Sequence, residues 1–456
     1  VDPVLRQSGK LIVSQTIFPP APREAMHSVT RVPLRHRSLV LAIALTAAAG
    51  GCSAGPPANG AAPETSAASS SSSSSTTSCT PLERRSPNGS DQRPAREGQT
   101  RTCGITSNVA FDVSVVATGL EHPWAVEPLP GGDLLVTEKP GRLRIVSASG
   151  NVGTPIAGLP EVDARGQGGL LDVALSPTFA ADRTIYWSFS ERRDGGNGTS
   201  IARGVLSPDR TRLGQVRVIF RVLPTYDGTM HYGSRLAFGN DGMLYGTFGE
   251  RSDGSMRQYA QRLDSHLGKV IRIRPDGSVP ADNPFVGQAN ALPEIWTLGH
   301  RNIQAAAFDL EGLLWVIEHG PRGGDELNLI EKGKNYGWPL VAYGIEYSGR
   351  AIPGAVTAKT GFEQPVYYWD PVIAPSGAQL YSGNAFPAWR GSLFVGSMVQ
   401  QKLVRLVISN GRVTGEEHLL ADRRQRVRDV REGPDGFLYL VTDQRNGELW
   451  KIAPRR

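Results

Sequence analysis

Cysteine is scarce: Cys52, Cys79 and Cys103 are the only three in 456 residues, and all lie in the first quarter of the chain. That disfavours zinc held by clustered thiolates and leaves no thiol nucleophile in the remainder. Long apolar runs are also missing. The one at 39–49 covers about eleven residues, too few to span a bilayer but suited to the apolar stretch of an export signal. Over most of the chain there are no runs of Ala, Leu, Glu and Lys, which argues against a helical bundle. A basic stripe with interleaved aromatics is absent too. Of the net charge of +6, residues 1–108 supply eleven Lys or Arg against six Asp or Glu, leaving the remainder near +1. Nucleic acid is therefore not an expected partner.

Glycine and proline are abundant, at 53 and 33 residues. From about residue 109 onward, short apolar runs alternate with Gly, Asp, Asn and Pro, the pattern of many short strands joined by turns. A turn followed by an apolar strand recurs six times. It appears as Gly132-Asp133-Leu134-Leu135-Val136, Asp182-Arg183-Thr184-Ile185-Tyr186 and Asp241-Gly242-Met243-Leu244-Tyr245. It returns as Glu311-Gly312-Leu313-Leu314-Trp315, Arg390-Gly391-Ser392-Leu393-Phe394 and Asp435-Gly436-Phe437-Leu438-Tyr439. The spacing of about 45 to 80 residues accommodates a four-stranded blade with insertions, so the expected fold is all-β, a six-bladed propeller over 109–456. Propellers bind ligands at the mouth of the central channel, where loops of different blades converge.

The N-terminal part reads as an address. Arg31, Arg35 and Arg37 flank the apolar run, which ends in Ala49-Gly50-Gly51-Cys52. Small residues before a cysteine resemble a bacterial lipobox, making Cys52 a candidate for lipidation and residues 1–52 upstream sequence plus signal, with Met26 the expected start. Ordinary signal cleavage near Ala54 is the competing possibility. Residues 53–108 are rich in Ser, Pro and Ala, with unbroken serine at 69–75, and read as a disordered tether holding the domain near a membrane. Export would permit a disulfide between Cys79 and Cys103.

Several segments are more specific. They are Gly166-Gln167-Gly168-Gly169-Leu170-Leu171, Thr297-Leu298-Gly299-His300-Arg301-Asn302, Glu318-His319-Gly320-Pro321 with Asp325-Glu326, and Asn335-Tyr336-Gly337-Trp338-Pro339. Ala374-Pro375-Ser376 and Arg426-Val427-Arg428-Asp429-Val430 follow in order. The ordered set resembles the soluble aldose dehydrogenases that depend on pyrroloquinoline quinone (PQQ), the glucose/sorbosone dehydrogenase group, over about residues 113–453.

That resemblance implies oxidation of aldose sugars with PQQ and calcium. His231 matches the catalytic base, a role an imidazole suits because it titrates near neutrality. Glu250 stands where the group has an orienting acid, most often Asp. Arg426 and Arg428, two apart, would present both guanidiniums to one face of a strand and clamp the cofactor's carboxylates; a solvated basic face is the alternative. Arg301 and Asn302 resemble the residues that contact the quinone oxygens, and Gln167 a polar contact near sugar and base. The carbonyls of Gly320 and Pro321 resemble ligands of the cofactor's calcium, and Glu326, Tyr336 and more weakly Asp325 a second, structural calcium site. His300 and His319 are not expected to bind metal.

One position departs from the pattern. The group carries a lysine where this chain has Val399, and Lys402 is on the wrong strand face to replace it. A propeller that binds a glycan or protein without catalysis, or a calcium-dependent lactonase, are the other functions weighed. The lactonase would need a carboxylate cluster at the channel. For a dehydrogenase, the electron acceptor would be an exported carrier or a quinone pool.

Overall fold

The computed structural model describes residues 79–455. Cys52, the signal-like run and residues 53–78 lie outside the described residues. Six antiparallel sheets form the blades of a six-bladed β-propeller. In chain order their innermost strands are Pro123–Pro128, Leu170–Leu175, Leu236–Phe238, Ile303–Phe308, Pro375–Leu380 and Val427–Glu432, opening blades 1 to 6. Blade 1 has three strands and the others four. Phe111–Leu120, the first strand among the described residues, becomes the outer strand of blade 6 by pairing with Gly447–Pro454, and so closes the ring.

Each of the six sequence repeats is the turn into a blade's second strand, from Leu134–Glu138 in blade 1 to Leu438–Thr442 in blade 6. Gly242, Gly312 and Gly436 hold φ of 73°, 82° and 75° in these turns, a region in which a side chain would be strained. The second strands read as apolar on both faces because both faces are covered. Buried side chains gather in one cluster per seam between neighbouring blades, such as Trp187 with Leu135 between blades 1 and 2. Tyr439 with Val136 fills the closing seam between blades 6 and 1.

The expected tether is too long at its C-terminal end. Residues 79–108 belong to the same compact unit as the propeller. Cys79 and Cys103 are disulfide-bonded, and Gln99 is fully buried. This arm joins the outer edges of two blades. Asp370, beyond blade 4, accepts hydrogen bonds from the backbone N–H groups of Asn88 and Gly89 at 2.8 and 2.9 Å. On blade 5, Glu416 donates its N–H to the Cys103 carbonyl at 2.9 Å. Backbone and polar side chains make these contacts, so a composition poor in apolar residues gave no sign of them.

The inner strands begin at one channel mouth and end at the other, with a buried ionic plug between. Arg235 Nη1 lies 2.8 Å from Asp172 and 3.2 Å from Asp429, and Arg431 Nη1 lies 3.2 Å from Asp429. The N–H groups of Leu236 and Val126 donate to the same two carboxylates. At the far mouth is a cavity of about 650 Å³ bordered by Glu127, Arg431 and Glu432. The near mouth gathers the motif residues.

Candidate functional site

The near-mouth cavity measures about 320 Å³. Gln167, Asn302, Arg426 and Arg428 all line it, together with Lys139, Val399 and Asp443. Four expected site residues from three separate segments thus share one space.

Arg426 precedes the inner strand of blade 6, and a bulge follows Val427. Both guanidiniums nonetheless reach one side, where they meet Asp443. The contacts are 2.8 Å from Arg426 Nη2 and 3.1 Å from Arg428 Nη2. Burial holds Arg428 below its ordinary value, against the pull of Asp443. The two guanidiniums and Asp443 therefore form a preset triad, in which a shared carboxylate fixes two forks. With Lys139 the cavity presents three cations against one carboxylate. Val399 is 58% exposed at its rim. Lys402 is turned away from this space, its Nζ 3.0 Å from the His418 ring.

His231 is buried, next in sequence to Tyr232 and Gly233, which line the cavity. Its φ of 51° is left-handed, and its N–H is tied to Gln167 Oε1 at 2.8 Å. Nδ1 lies 3.0 Å from Glu250 Oε2. The longer acid therefore does reach the imidazole. Gly249 makes the approach possible, since a Cβ there would stand 2.4 Å from the His231 carbonyl. Burial, aided by Arg301, keeps the imidazole below its ordinary 6.5, while Glu250 works the other way. Burial alone would raise Glu250, but His231, Arg301 and the Ser252 N–H outweigh it and hold the carboxylate ionised. An ionised Glu250 requires Nδ1–H as donor, which leaves Nε2 with a free lone pair.

Arg301 is also buried. Its Nη1 donates to the carbonyls of His319 and Gly320 at 3.0 and 2.8 Å. Its Nε is buried with no partner among the described residues. Arg301, Gly320, Pro321 and Glu326 border a second, very small cavity of about 10 Å³. Glu326 pairs across the sheet with Glu318, and burial, reinforced by Glu318, pushes its carboxyl well above the usual range. Asn328 Oδ1 beside it is buried without a partner among the described residues. Oxygens short of donors are what a hard cation satisfies, so Glu326 with neighbouring carbonyls fits calcium.

Asp325 and the Tyr336 side chain are otherwise engaged. Asp325 accepts the N–H groups of Gly320, Ile373 and Ala374, each within 2.9 Å; burial pushes it up to about 7. It braces the cavity wall at Ala374 in place of facing a metal. The Tyr336 hydroxyl donates to the Leu329 carbonyl and accepts the Glu331 N–H, leaving only its carbonyl for a ligand role. His300 bonds Glu318 at 2.8 Å. His319 meets the Pro375 carbonyl at 2.6 Å, and burial lowers it to about 3.

The family model described as Glucose / Sorbosone dehydrogenase matches residues 120–451. The chain belongs to the glucose/sorbosone dehydrogenase family. Within the family it is 44% identical over 350 residues to the aldose sugar dehydrogenase YliI of Escherichia coli K12, covering 75% of this chain and 93% of that one. A glucose dehydrogenase crystal structure superposes with a TM-score of 0.73 at 48% identity, over 75% of this chain and all of the other. The PQQ-bound aldose sugar dehydrogenase of Streptomyces coelicolor gives a TM-score of 0.62 at 32% identity, over 75% and 99%.

Two residues lining the cavity carried no signal in the sequence. Asp443 and Lys139 belong to none of the motifs; the pairing of the first two strands of blade 6 sets Asp443 beside Arg426 and Arg428, whereas Lys139 comes from blade 1 across the closing seam.

Proposed function

We propose that the protein oxidises aldose sugars to lactones using PQQ and calcium. The observation that carries this reading is the His231–Glu250 pair next to a cavity in whose lining three cations face one carboxylate. PQQ is a flat trianion, and the Arg426–Arg428 fork, Lys139, Gln167 and Asn302 offer it charge and amide donors in a cavity of fitting size. When bound, it would supply a calcium-polarised quinone able to accept hydride.

The chain's own residues do the rest. Neutral His231 accepts the anomeric hydroxyl proton at Nε2 as the C–H bond gives up hydride, and Glu250 stabilises the imidazolium that forms. Gln167 holds the base through its backbone N–H. Arg301, with an unpartnered buried Nε, offers a donor for negative charge developing on an acceptor oxygen. Gly320 and Pro321 carbonyls would hold the cofactor's calcium, with Arg301 sharing the Gly320 oxygen, and Glu326 and the Tyr336 carbonyl would hold a structural one. A lactonase is disfavoured because the channel carboxylates Asp172 and Asp429 are already paired with Arg235 and Arg431. The reading also takes the protein as exported and lipid-anchored at Cys52, passing electrons to an exported acceptor.

The test is addition of PQQ and calcium to purified protein, followed by dye reduction with a panel of aldoses. Saturable activation by both is expected. Activity with aldoses that does not depend on PQQ, or no activation at all, would refute the reading.

A further inference from the structure

We infer that Lys139 is a cofactor-contacting residue, the third cation of the anion site beside Arg426 and Arg428. This rests on the PQQ reading above and assigns a residue that no motif marks.

Lys139 follows the second strand of blade 1, and its backbone is fixed on both sides. Its N–H donates to the His122 carbonyl at 3.1 Å, and its carbonyl accepts the Leu170 N–H at 3.0 Å. Gly169 permits this closeness. A Cβ at 169 would stand 2.1 Å from the Lys139 carbonyl oxygen and 2.8 Å from its Cγ. The glycines of the 166–169 loop therefore let that loop close against the lysine stem, and both then border the same cavity.

Its amine differs from the other cations there. Arg426 and Arg428 share Asp443, whereas Lys139 Nζ makes no hydrogen bond or ion pair among the described residues. Burial holds the ammonium below its ordinary value; Asp443 draws it up and Arg428 pushes it down. A half-buried cation without a partner is a group whose charge a bound carboxylate would satisfy. Position 399, apolar in this chain, provides no competing cation at that rim.

The experiment is an equilibrium titration of the protein with PQQ at fixed calcium, read by quenching of tryptophan fluorescence. It compares wild type, Lys139→Met and Lys139→Arg, with thermal unfolding of each without cofactor. Lys139→Met is expected to weaken binding roughly tenfold to a hundredfold, the range for a hydrogen bond to a charged group, with an unchanged unfolding midpoint. Lys139→Arg should stay within a few-fold of wild type and show the steeper salt dependence of wild type. Wild-type affinity in Lys139→Met would overturn the assignment while leaving the PQQ reading intact. So would Lys139→Arg binding as weakly as Lys139→Met. Wild type with no saturable binding would overturn both.

Discussion

If His231 is the base, its partner sets where the rate falls with pH, and the direction follows from the geometry. The imidazole is buried with Arg301 nearby, and both lower its affinity for a proton; Glu250, 3.0 Å from Nδ1, is the main opposing influence. The acid limb of kcat/KM in the wild-type protein is therefore expected below pH 6.5. Replacing Glu250 by Gln removes the charge that draws the value up, so the limb moves further towards acid. The maximal rate drops at the same time, because an amide fixes the Nδ1–H tautomer less firmly and does not stabilise imidazolium. His231→Ala should cost roughly 10²–10⁴-fold in single-turnover sugar oxidation. Cofactor affinity should hold, since the cations that line the cavity are left in place. Stability carries the same sign. A depressed folded value contributes fully above pH 6.5 and is lost as pH falls from there towards that value. The assay is the pH profile of cofactor-saturated protein, wild type and Glu250→Gln. A wild-type limb at or above 6.5, or a Glu250→Gln limb displaced upwards, would refute the base assignment.

Three further outcomes are expected. Arg426→Ala or Arg428→Ala should weaken PQQ binding by about 1.5–3 kcal/mol, with activity partly regained at saturating cofactor; unaltered affinity in both would dismiss the clamp. Breaking the disulfide by Cys79→Ser with Cys103→Ser opens a loop with a sequence separation of 24 and should destabilise by about 3 kcal/mol on a chain-entropy basis, read by thermal unfolding. An unmoved midpoint would mean that the arm adds nothing to the propeller. Arg235→Met leaves the buried Asp172 and Asp429 with Arg431 as their one guanidinium partner, so that one charge goes uncompensated, and should cost about 3–5 kcal/mol in denaturant unfolding; a loss under about 1 kcal/mol would contradict the plug.

What the sequence made legible follows from distance along the chain. The six turn-and-strand repeats were readable because each is local: a positive φ at Gly242 or Gly436 and the apolar strand after it are set within a few residues. The ring closure by Phe111–Leu120 was not, because that strand's partner, Gly447–Pro454, lies at the other end of the chain. The arm at 79–108 failed for another reason. Composition registers apolar burial, and the arm docks through polar groups such as the Asp370 carboxylate and the buried Gln99.

The site divides along the same line. Arg426 and Arg428 were found by their spacing of two, yet the strand alternation used to place them holds only approximately, since Arg426 precedes the strand and a bulge follows Val427. What sets both side chains on one side is Asp443, which meets each of them. Spacing rules locate side chains on a regular strand; they say nothing about a carboxylate arriving from the next turn of the chain. Asp325 shows the converse. Its position beside Glu326 suggested a shared metal site, but neighbours on a strand point to opposite faces. Glu326 faces Glu318 and Asn328, while Asp325 turns to the N–H groups of Ile373 and Ala374. The carboxylate that resembled a ligand is thus a brace for the cavity wall, and the one that resembled nothing, Asp443, holds the clamp.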